Sequence, residues 1–398
     1  MNHTHAAHVP DLSRYLLGAG VLDAADPHSR PWLDALEKVP RHLFVPQRAW
    51  ATPQDDRPEH SIDQARDPDA WWTAVYTNTA IVTQRANGGA PLTDTTSSPT
   101  SSLSSPHVAV EFLQLLDLAP HHRVLEIGTG TGWTAAMLAQ RVGDHHVTTI
   151  EVDQGVAAVA SANLKEAGAD PIVLVGDGTL GCPDRGPYDR IHVTCGIREI
   201  PHAWVQQTRP GGVIVLPWMP PSGAWGHQLR LDVLDDGTAM GMLGAGASYM
   251  LMRQPARLGP MDSRPIDVQV TESRLDPAAV TNALSKGFQV YLAGAAPEVA
   301  VYDHGWEHPR SDGVSVFTAR AGDTQGDSWA TAAGPYGRTE VQVTQGGGRR
   351  VWEEVERAFM AWLRAGRPTP ERFGITVSPA GQYLWIDLPW RIVEVVGP

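Results

Sequence analysis

The chain has 398 residues, enough to bury a large core and to form at least two domains. Its formal net charge is −13 and it carries no long basic run, which argues against nucleic acid or an anionic membrane as its main partner. The two cysteines, Cys182 and Cys195, cannot build a disulfide framework or a cysteine-zinc site, and no apolar run reaches the roughly 18 residues that span a bilayer, so a cytoplasmic protein without a structural metal is expected.

The N-terminus, MNHTHAAHVPD, is polar and lacks an apolar signal core; His3, His5 and His8 read as a polar tail rather than a metal site. Helices are expected over Leu12 to Ala19 and over Pro31 to Val39, where proline suits a first helical position. Pro40 and Pro46 bracket KVPRHLFVP, Lys38 to Pro46, which should be extended or a turn. Ala51 to Pro68 is charged, proline-rich and without clear periodicity. The aromatic and β-branched stretch Trp71 to Thr83 suggests one or two short strands. Arg85 to Ser105 turns Gly-rich and then almost wholly Ser and Thr. It has little apolar surface to offset its ordering entropy, so a flexible surface loop is expected, the alternative being a flap that orders on a substrate. Pro106 to Leu118 returns to helical spacing.

RVLEIGTGTGWTAAMLA, Arg123 to Ala139, reads as strand, tight glycine turn and helix. Gly128, Gly130 and Gly132 allow positive φ and close approach of backbone N–H groups to a ligand. The spacing is G-x-G-x-G, not the dinucleotide G-x-G-x-x-G, and Glu126 precedes it. An acid there suits a ligand with a cationic end, such as S-adenosyl-L-methionine, better than a pyrophosphate. Further strands are expected at His146 to Asp153, Pro171 to Thr179, Tyr188 to Cys195, Gly211 to Pro217 and Gly226 to Leu234, with helices over Gly155 to Ala167 and Pro201 to Thr208. This alternation predicts a parallel sheet covered on both faces, with its ligand at the carboxyl ends of the strands. Glu151 ends the second strand, placed to accept two ribose hydroxyls. Asp177, with Gly178, follows the third and can accept from an adenine amino group. Either acid alone would pass for a solvated turn residue.

KVPRHLFVP, SLSSPH (Ser102 to His107), VLEIGTGTGWTAAMLA, TTIEVD, VGDGTLG, PYDRIHVTCGIREIP and RPGGVIVLP together resemble the protein-L-isoaspartate O-methyltransferases, over roughly Lys38 to Leu234. The resemblance implies an α/β fold, a doubly wound, Rossmann-like class I methyltransferase sheet, and methyl transfer to a peptidyl carboxylate. The expected donor site comprises Glu126, Gly128, Thr129, Gly130, Gly132, Glu151, Val152, Asp177, Gly178, Thr194 and His107, with no metal. In the family a Thr-Ile-Ser segment before a proline lines the acceptor site. Here it reads Ser102-Leu103-Ser104, so the catalytic positions fall to Ser104 and Ser102. Their hydroxyls can orient a carboxylate that is already ionised at neutral pH.

Two departures stand out. The family's Gly-Gln before Thr-Ile-Ser is replaced by the Ser/Thr-rich stretch, and a long segment follows Leu234, where repair enzymes usually end. Both resemble the actinobacterial branch linked to ribosomal peptide maturation, alongside lanthipeptide or graspetide biosynthesis. That branch esterifies an ordinary aspartate in a macrocyclic or crosslinked precursor peptide, leading to succinimide or isoaspartate. The expected partner is therefore such a modified precursor peptide, with isoaspartyl repair of damaged proteins as the alternative. The expected organisation is an N-terminal region over 1–84, a flexible loop over 85–105, the methyltransferase core over 106–254 and a C-terminal α+β module over 255–398 that serves in peptide binding. A boundary is expected at Pro255 to Arg264. Beyond it come strands, a helix over Asp276 to Lys286 with Asp276 as N-cap, and an amphipathic helix over Val351 to Ala365. Most of Trp306, Trp329, Trp352, Trp362, Trp385 and Trp390 are expected to form its small core.

Overall fold

A computed structural model describes residues 5–220, 226–253, 267–282, 286–307, 315–335 and 340–396. His3 and the boundary expected at Pro255 to Arg264 lie outside the described residues. The chain divides into two units: Met1–Cys195 with Pro201–Pro217 and Arg230–Ala239, and Gly196–Ile200 with Trp218–Leu229 and Met240–Pro398.

The first unit begins with α1 (His5–Gly18), α2 (Arg30–Lys38), β1 (Arg48–Pro53), β2 (His60–Asp63), α3 (Pro68–Tyr76), β3 (Thr79–Arg85), β4 (Pro99–Leu103) and α4 (Pro106–Leu115). The βα series follows as β5 (Val124–Ile127), α5 (Trp133–Val142), β6 (Val147–Glu151), α6 (Gln154–Glu166), β7 (Ile172–Val175), β8 (Tyr188–Val193), α7 (His202–Gln207) and β9 (Thr208–Trp218); next in the chain are β10 (Gly226–Val233), which enters the first unit at Arg230, and β11 (Ala239–Ala247), which belongs to the second from Met240 on. In this unit β9-β8-β5-β6-β7 form a parallel sheet. The order reverses at β5, which is where a doubly wound sheet opens a crevice at its carboxyl edge. Every residue of β5, β6 and β8 is buried, as a sheet covered on both faces requires.

A second sheet, in the order β2-β1-β3-β4, is antiparallel and corrects two expectations. Of Trp71 to Thr83, expected as one or two short strands, the first half is α3 and the end, from Thr79, is the single strand β3. Asp67 Oδ1 accepts the Ala70 N–H at 3.0 Å, Pro68 opens the helix, and Trp71, Val75 and Tyr76 are buried. The cap and this burial override β propensity. Nor is Arg85 to Ser105 an unstructured loop. Its last part is β4, paired with β3 through Ile81 opposite Leu103 and Val82 opposite Ser102. Arg85 explains the order. Its buried guanidinium donates to the carbonyls of Leu92 at 2.9 Å and Ser97 at 2.8 Å and lies 5.7 Å over the Trp50 ring. Asp94 accepts from the hydroxyls of Thr96 and Ser97, and these bonds hold its carboxyl down to about 2. Charge-assisted bonds of this kind stand in for the missing apolar surface.

The second unit contributes β12 (Gln269–Ser273), α8 (Pro277–Asn282), α9 (Lys286–Ala295), β13 (Val299–Glu307), β14 (Val316–Asp323), β15 (Trp329–Pro335), β16 (Val341–Gly346), α10 (Val351–Arg364), β17 (Phe373–Ser378) and β18 (Gly381–Ile386). The sheet β12-β16-β15-β14-β13 is antiparallel, and β17 lies between β18 and β11. The helix expected over Asp276 to Lys286 is α8 alone; residues 283–285 lie outside the described set, and α9 is an element the sequence reading missed. Val351, Val355, Phe359 and Trp362 of α10 are all buried. Trp352 and Trp385 are buried too, but Trp306 and Trp390 are 54% and 74% exposed, so these two are not core. Among the described residues no helix is long and apolar enough to cross a membrane.

Candidate active site

The site is built where β5, β6 and β7 end. Gly128, Gly130 and Gly132 have φ of +93°, +55° and +94°, the left-handed region that a Cβ disfavours. A Cβ on Gly128 would stand 2.5 Å from Thr194 Oγ1, and one on Gly130 would stand 3.4 Å from the Ser102 carbonyl oxygen. The end of β4 at Ser102 therefore lies against the glycine turn. Thr194, just past β8, donates its hydroxyl toward the carbonyl oxygens of Gly128 at 2.5 Å and Ile127 at 3.0 Å, holding the turn from the other side.

Glu126 lies beneath the turn, not on it, which corrects the expectation of an acid facing a ligand cation. It is fully buried; Oε2 accepts from Thr149 Oγ1 at 2.8 Å, and Oε1 is 3.3 Å from His192 Nδ1. A carboxylate only accepts, so the Thr149 hydroxyl donates to it, and the Thr129 hydroxyl in turn donates to Thr149 Oγ1 at 2.7 Å. This chain of hydrogen bonds ties the turn to the buried acid.

Glu151 ends β6. Its Oε2 accepts the Gly130 N–H at 3.0 Å and its Oε1 accepts the Asp153 N–H at 3.1 Å. Two backbone donors orient the carboxylate and leave lone pairs for further donors. Val152 beside it is 49% exposed, a large apolar side chain at the mouth of the crevice. Asp177 follows β7. Its Oδ1 accepts from the Thr179 N–H at 2.9 Å and the Thr179 hydroxyl at 2.7 Å, shaping the turn that starts at Gly178. The Gly178 carbonyl is held by the indole N–H of buried Trp204 at 2.9 Å.

His107 opens α4 and is tied into the surrounding fold. Its backbone N–H donates to Asn78 Oδ1, its Nδ1 is 3.3 Å from the Tyr15 hydroxyl, and its Nε2 is 3.3 Å from Glu111, so both ring nitrogens are engaged within the fold. Ser102 and Ser104 are half-buried, and neither hydroxyl bonds to another described residue.

Three residues here escaped sequence reasoning as site residues. Arg41, from the PRHLF run, is fully buried and donates to the carbonyls of Val75, Thr79 (3.0 Å) and Ser104 (2.9 Å). Burial pushes its guanidinium down to about 9, which leaves it cationic at neutral pH. Cys195 would be 3.9 Å from a Cβ on Gly128; burial, helped by the charge of Glu151, pushes its thiol up to about 12. Gln84 of β3 donates to Asp153 Oδ2 at 3.0 Å and accepts the Thr100 hydroxyl, binding the hairpin to the start of α6. Only the arginine left a sequence signal, an always-charged side chain beside His42 in a short, proline-bracketed run that ends apolar.

A donor such as S-adenosylmethionine fits these residues. The cradle is one a Cβ would fill, the Thr131 hydroxyl within the turn is buried without a partner, and carboxylates stand at the ends of two adjacent strands. Among the described residues no cluster of His, Cys, Asp or Glu could hold a metal ion.

The parallel sheet, its reversal at β5 and the glycine turn define a class I methyltransferase fold. The family profile described as protein-L-isoaspartate(D-aspartate) O-methyltransferase matches residues 27–231, over half of the chain. The protein-L-isoaspartate O-methyltransferase of Methanopyrus kandleri is 44% identical over 187 residues, covering 46% of this chain and 67% of that protein. The one from Methanosarcina mazei is 42% identical over 118 residues, covering 29% of this chain and 49% of the relative, so the match spans about half of that protein. A solved protein-L-isoaspartate O-methyltransferase structure is similar in fold, with a TM-score of 0.55 at 19% identity, covering 96% of this chain and 100% of that one. The chain belongs to the protein-L-isoaspartate O-methyltransferase family. The fold likeness extends well past Leu234, which corrects the expectation that a long C-terminal segment sets this chain apart.

Proposed function

We propose that the protein transfers a methyl group from S-adenosylmethionine to the free carboxylate of an isoaspartyl residue in a polypeptide. One observation carries this reading: the Ser102 carbonyl lies over Gly130, so the segment holding Ser104 meets the turn that would hold the donor. When bound, the donor supplies an electrophilic methyl group. The chain's own residues do the rest. Glu151, oriented by two backbone N–H groups, accepts from ribose hydroxyls; Asp177 accepts from the adenine amino group; Val152 packs against the base. Ser104 and Ser102, with hydroxyls not consumed inside the fold, orient the acceptor carboxylate. No general base is required, because the acceptor is ionised already; the chain positions it and excludes water. Cys195, neutral with its thiol pushed up to about 12, offers no competing thiolate beside the methyl donor.

A second reading, esterification of an ordinary aspartate in a constrained ribosomal peptide, is favoured by the Arg85-locked hairpin standing where the family has Gly-Gln. The identity of the matched relatives supports the isoaspartyl acceptor over it. The test is incubation with S-adenosylmethionine and an isoaspartyl peptide, its L-aspartyl counterpart or a cyclised precursor, with the methyl ester read by mass. Ester on the isoaspartyl peptide alone is expected. Ester only on the L-aspartyl or cyclised peptide establishes the second reading, and ester on none overturns both.

A further inference from the structure

In the second unit, α10 and the chain after β18 enclose an open groove of about 850 Å³. Its apolar lining is unusually exposed: Met360 43%, Trp390 74%, Ile392 49% and Val395 67%. Four large apolar side chains facing solvent around one concavity mark a binding surface and not ordinary scatter. α10 explains one wall. Its buried stripe packs on the sheet, and Arg357, Met360, Ala361 and Arg364 form a second stripe on another face at helical spacing.

The other wall is a sheet edge. Arg391 and Val393 pair with β18: the Ile386 N–H donates to the Arg391 carbonyl at 3.0 Å, and the Val393 N–H donates to the Leu384 carbonyl at 2.9 Å. Ile392 is thereby bridged to Trp385 in antiparallel register. In such a ladder the backbone groups of Ile392 and Glu394 point away from β18. The N–H groups of Ile392 and Glu394 donate to no described residue, and the outward edge ends at Val396, whose N–H donates to the Ala295 carbonyl at 2.7 Å. An edge with free main-chain donors beside apolar pockets is a template for strand addition.

The rim selects the occupant. Arg391 is paired with Asp387 at 2.8 Å and Glu356 accepts from the Ser273 hydroxyl, while two further lining cations, Arg357 and Arg364, make no ion pair with a described residue, against one such carboxylate, Glu394. A cation left over at an apolar groove suits a ligand with a carboxylate. A second copy of the chain fits less well, since each copy carries a net −13 and the two repel. We propose that this groove binds an extended polypeptide segment bearing apolar side chains and a carboxylate, added as a strand along Ile392 to Val395. The choice of a polypeptide rests on the acceptor assigned under the proposed function.

The test uses the full chain and a fluorescein-labelled synthetic peptide alternating Val or Ile with Asp, and containing no isoaspartate. Anisotropy should report saturable binding, weakened about tenfold or more by Arg364→Glu and by Val395→Lys, a difference of about 1.4 kcal/mol. A peptide N-methylated at alternate backbone positions should bind as poorly, because it cannot complete a ladder. Methylation of a short isoaspartyl peptide, measured beside it, should be unchanged in both variants. Loss of that turnover in the wild type is a failure of the proposed reaction and leaves the binding result to stand by itself. The docking proposal is overturned if the peptide does not bind, if neither variant nor N-methylation weakens it, or if sedimentation finds a dimer that Val395→Lys dissociates.

Discussion

The Arg41 guanidinium donates to the Ser104 carbonyl at 2.9 Å across 63 positions of sequence, and the same nitrogen holds the Thr79 carbonyl at 3.0 Å. One buried cation thus fixes Ser104 against the start of β3 and the end of α3. Lysine is a point charge on a flexible stem and cannot present this fork. Arg41→Lys should cost about 2–3 kcal/mol, the scale of lost hydrogen bonds to a charged group, and should lower kcat more than it raises the Kd of the donor. Thermal unfolding, steady-state kinetics and calorimetric titration with S-adenosylhomocysteine check the three parts.

Ser104→Ala leaves the glycine turn and both strand-end carboxylates untouched. Methyl transfer should fall about tenfold to a hundredfold, as expected for loss of acceptor orientation, while donor affinity persists. Unchanged turnover would remove Ser104 from the mechanism.

Glu151→Ala should act oppositely. The Gly130 and Asp153 N–H groups lose their acceptor and the ribose loses its own. Donor affinity should drop by about 3 kcal/mol, or roughly a hundredfold in Kd. Calorimetry with S-adenosylhomocysteine measures it directly.

Gly128→Ala puts a Cβ 2.5 Å from Thr194 Oγ1 at a φ of +93°. Strain of this kind costs on the order of 1–3 kcal/mol. The variant should unfold at lower temperature and bind the donor weakly, and pairing it with Thr194→Ala should recover part of the stability, because the steric conflict goes but the positive φ remains.

His227 predicts a pH dependence. It is buried, its Nδ1 has no partner, and burial first, then the charge of Lys286, holds its imidazole below the ordinary 6.5. In the unfolded chain it takes up a proton at higher pH than in the fold. Stability from this group is therefore complete above pH 6.5 and is lost as pH falls from there through the folded value. Melting temperatures between pH 7.5 and about 5 should decline less steeply in His227→Phe than in the wild type.

The glycine turn and the strand-end acids were legible because their determinants are local. Positive φ at Gly128, Gly130 and Gly132 has a one-residue cause, and an acid at the end of a β-strand is placed by period and length alone. Glu151 and Asp177 were read correctly as strand-end acids on that basis. Glu126 was not, because whether an acid in β5 faces a ligand or is buried against Thr149 and His192 depends on neighbouring strands that meet only in the sheet.

Sequence alone thus determined the parallel βα core and the glycine turn, since hydrophobic period and glycine spacing act within a few residues of one another. Tertiary structure decided the rest. It made α3 a helix where propensity favoured strand, ordered the Ser/Thr-rich hairpin around Arg85, set the His107 ring against Tyr15, and tied the Ser104 carbonyl to Arg41. The last two join groups 92 and 63 positions apart, and only the folded chain brings such partners within hydrogen-bonding distance.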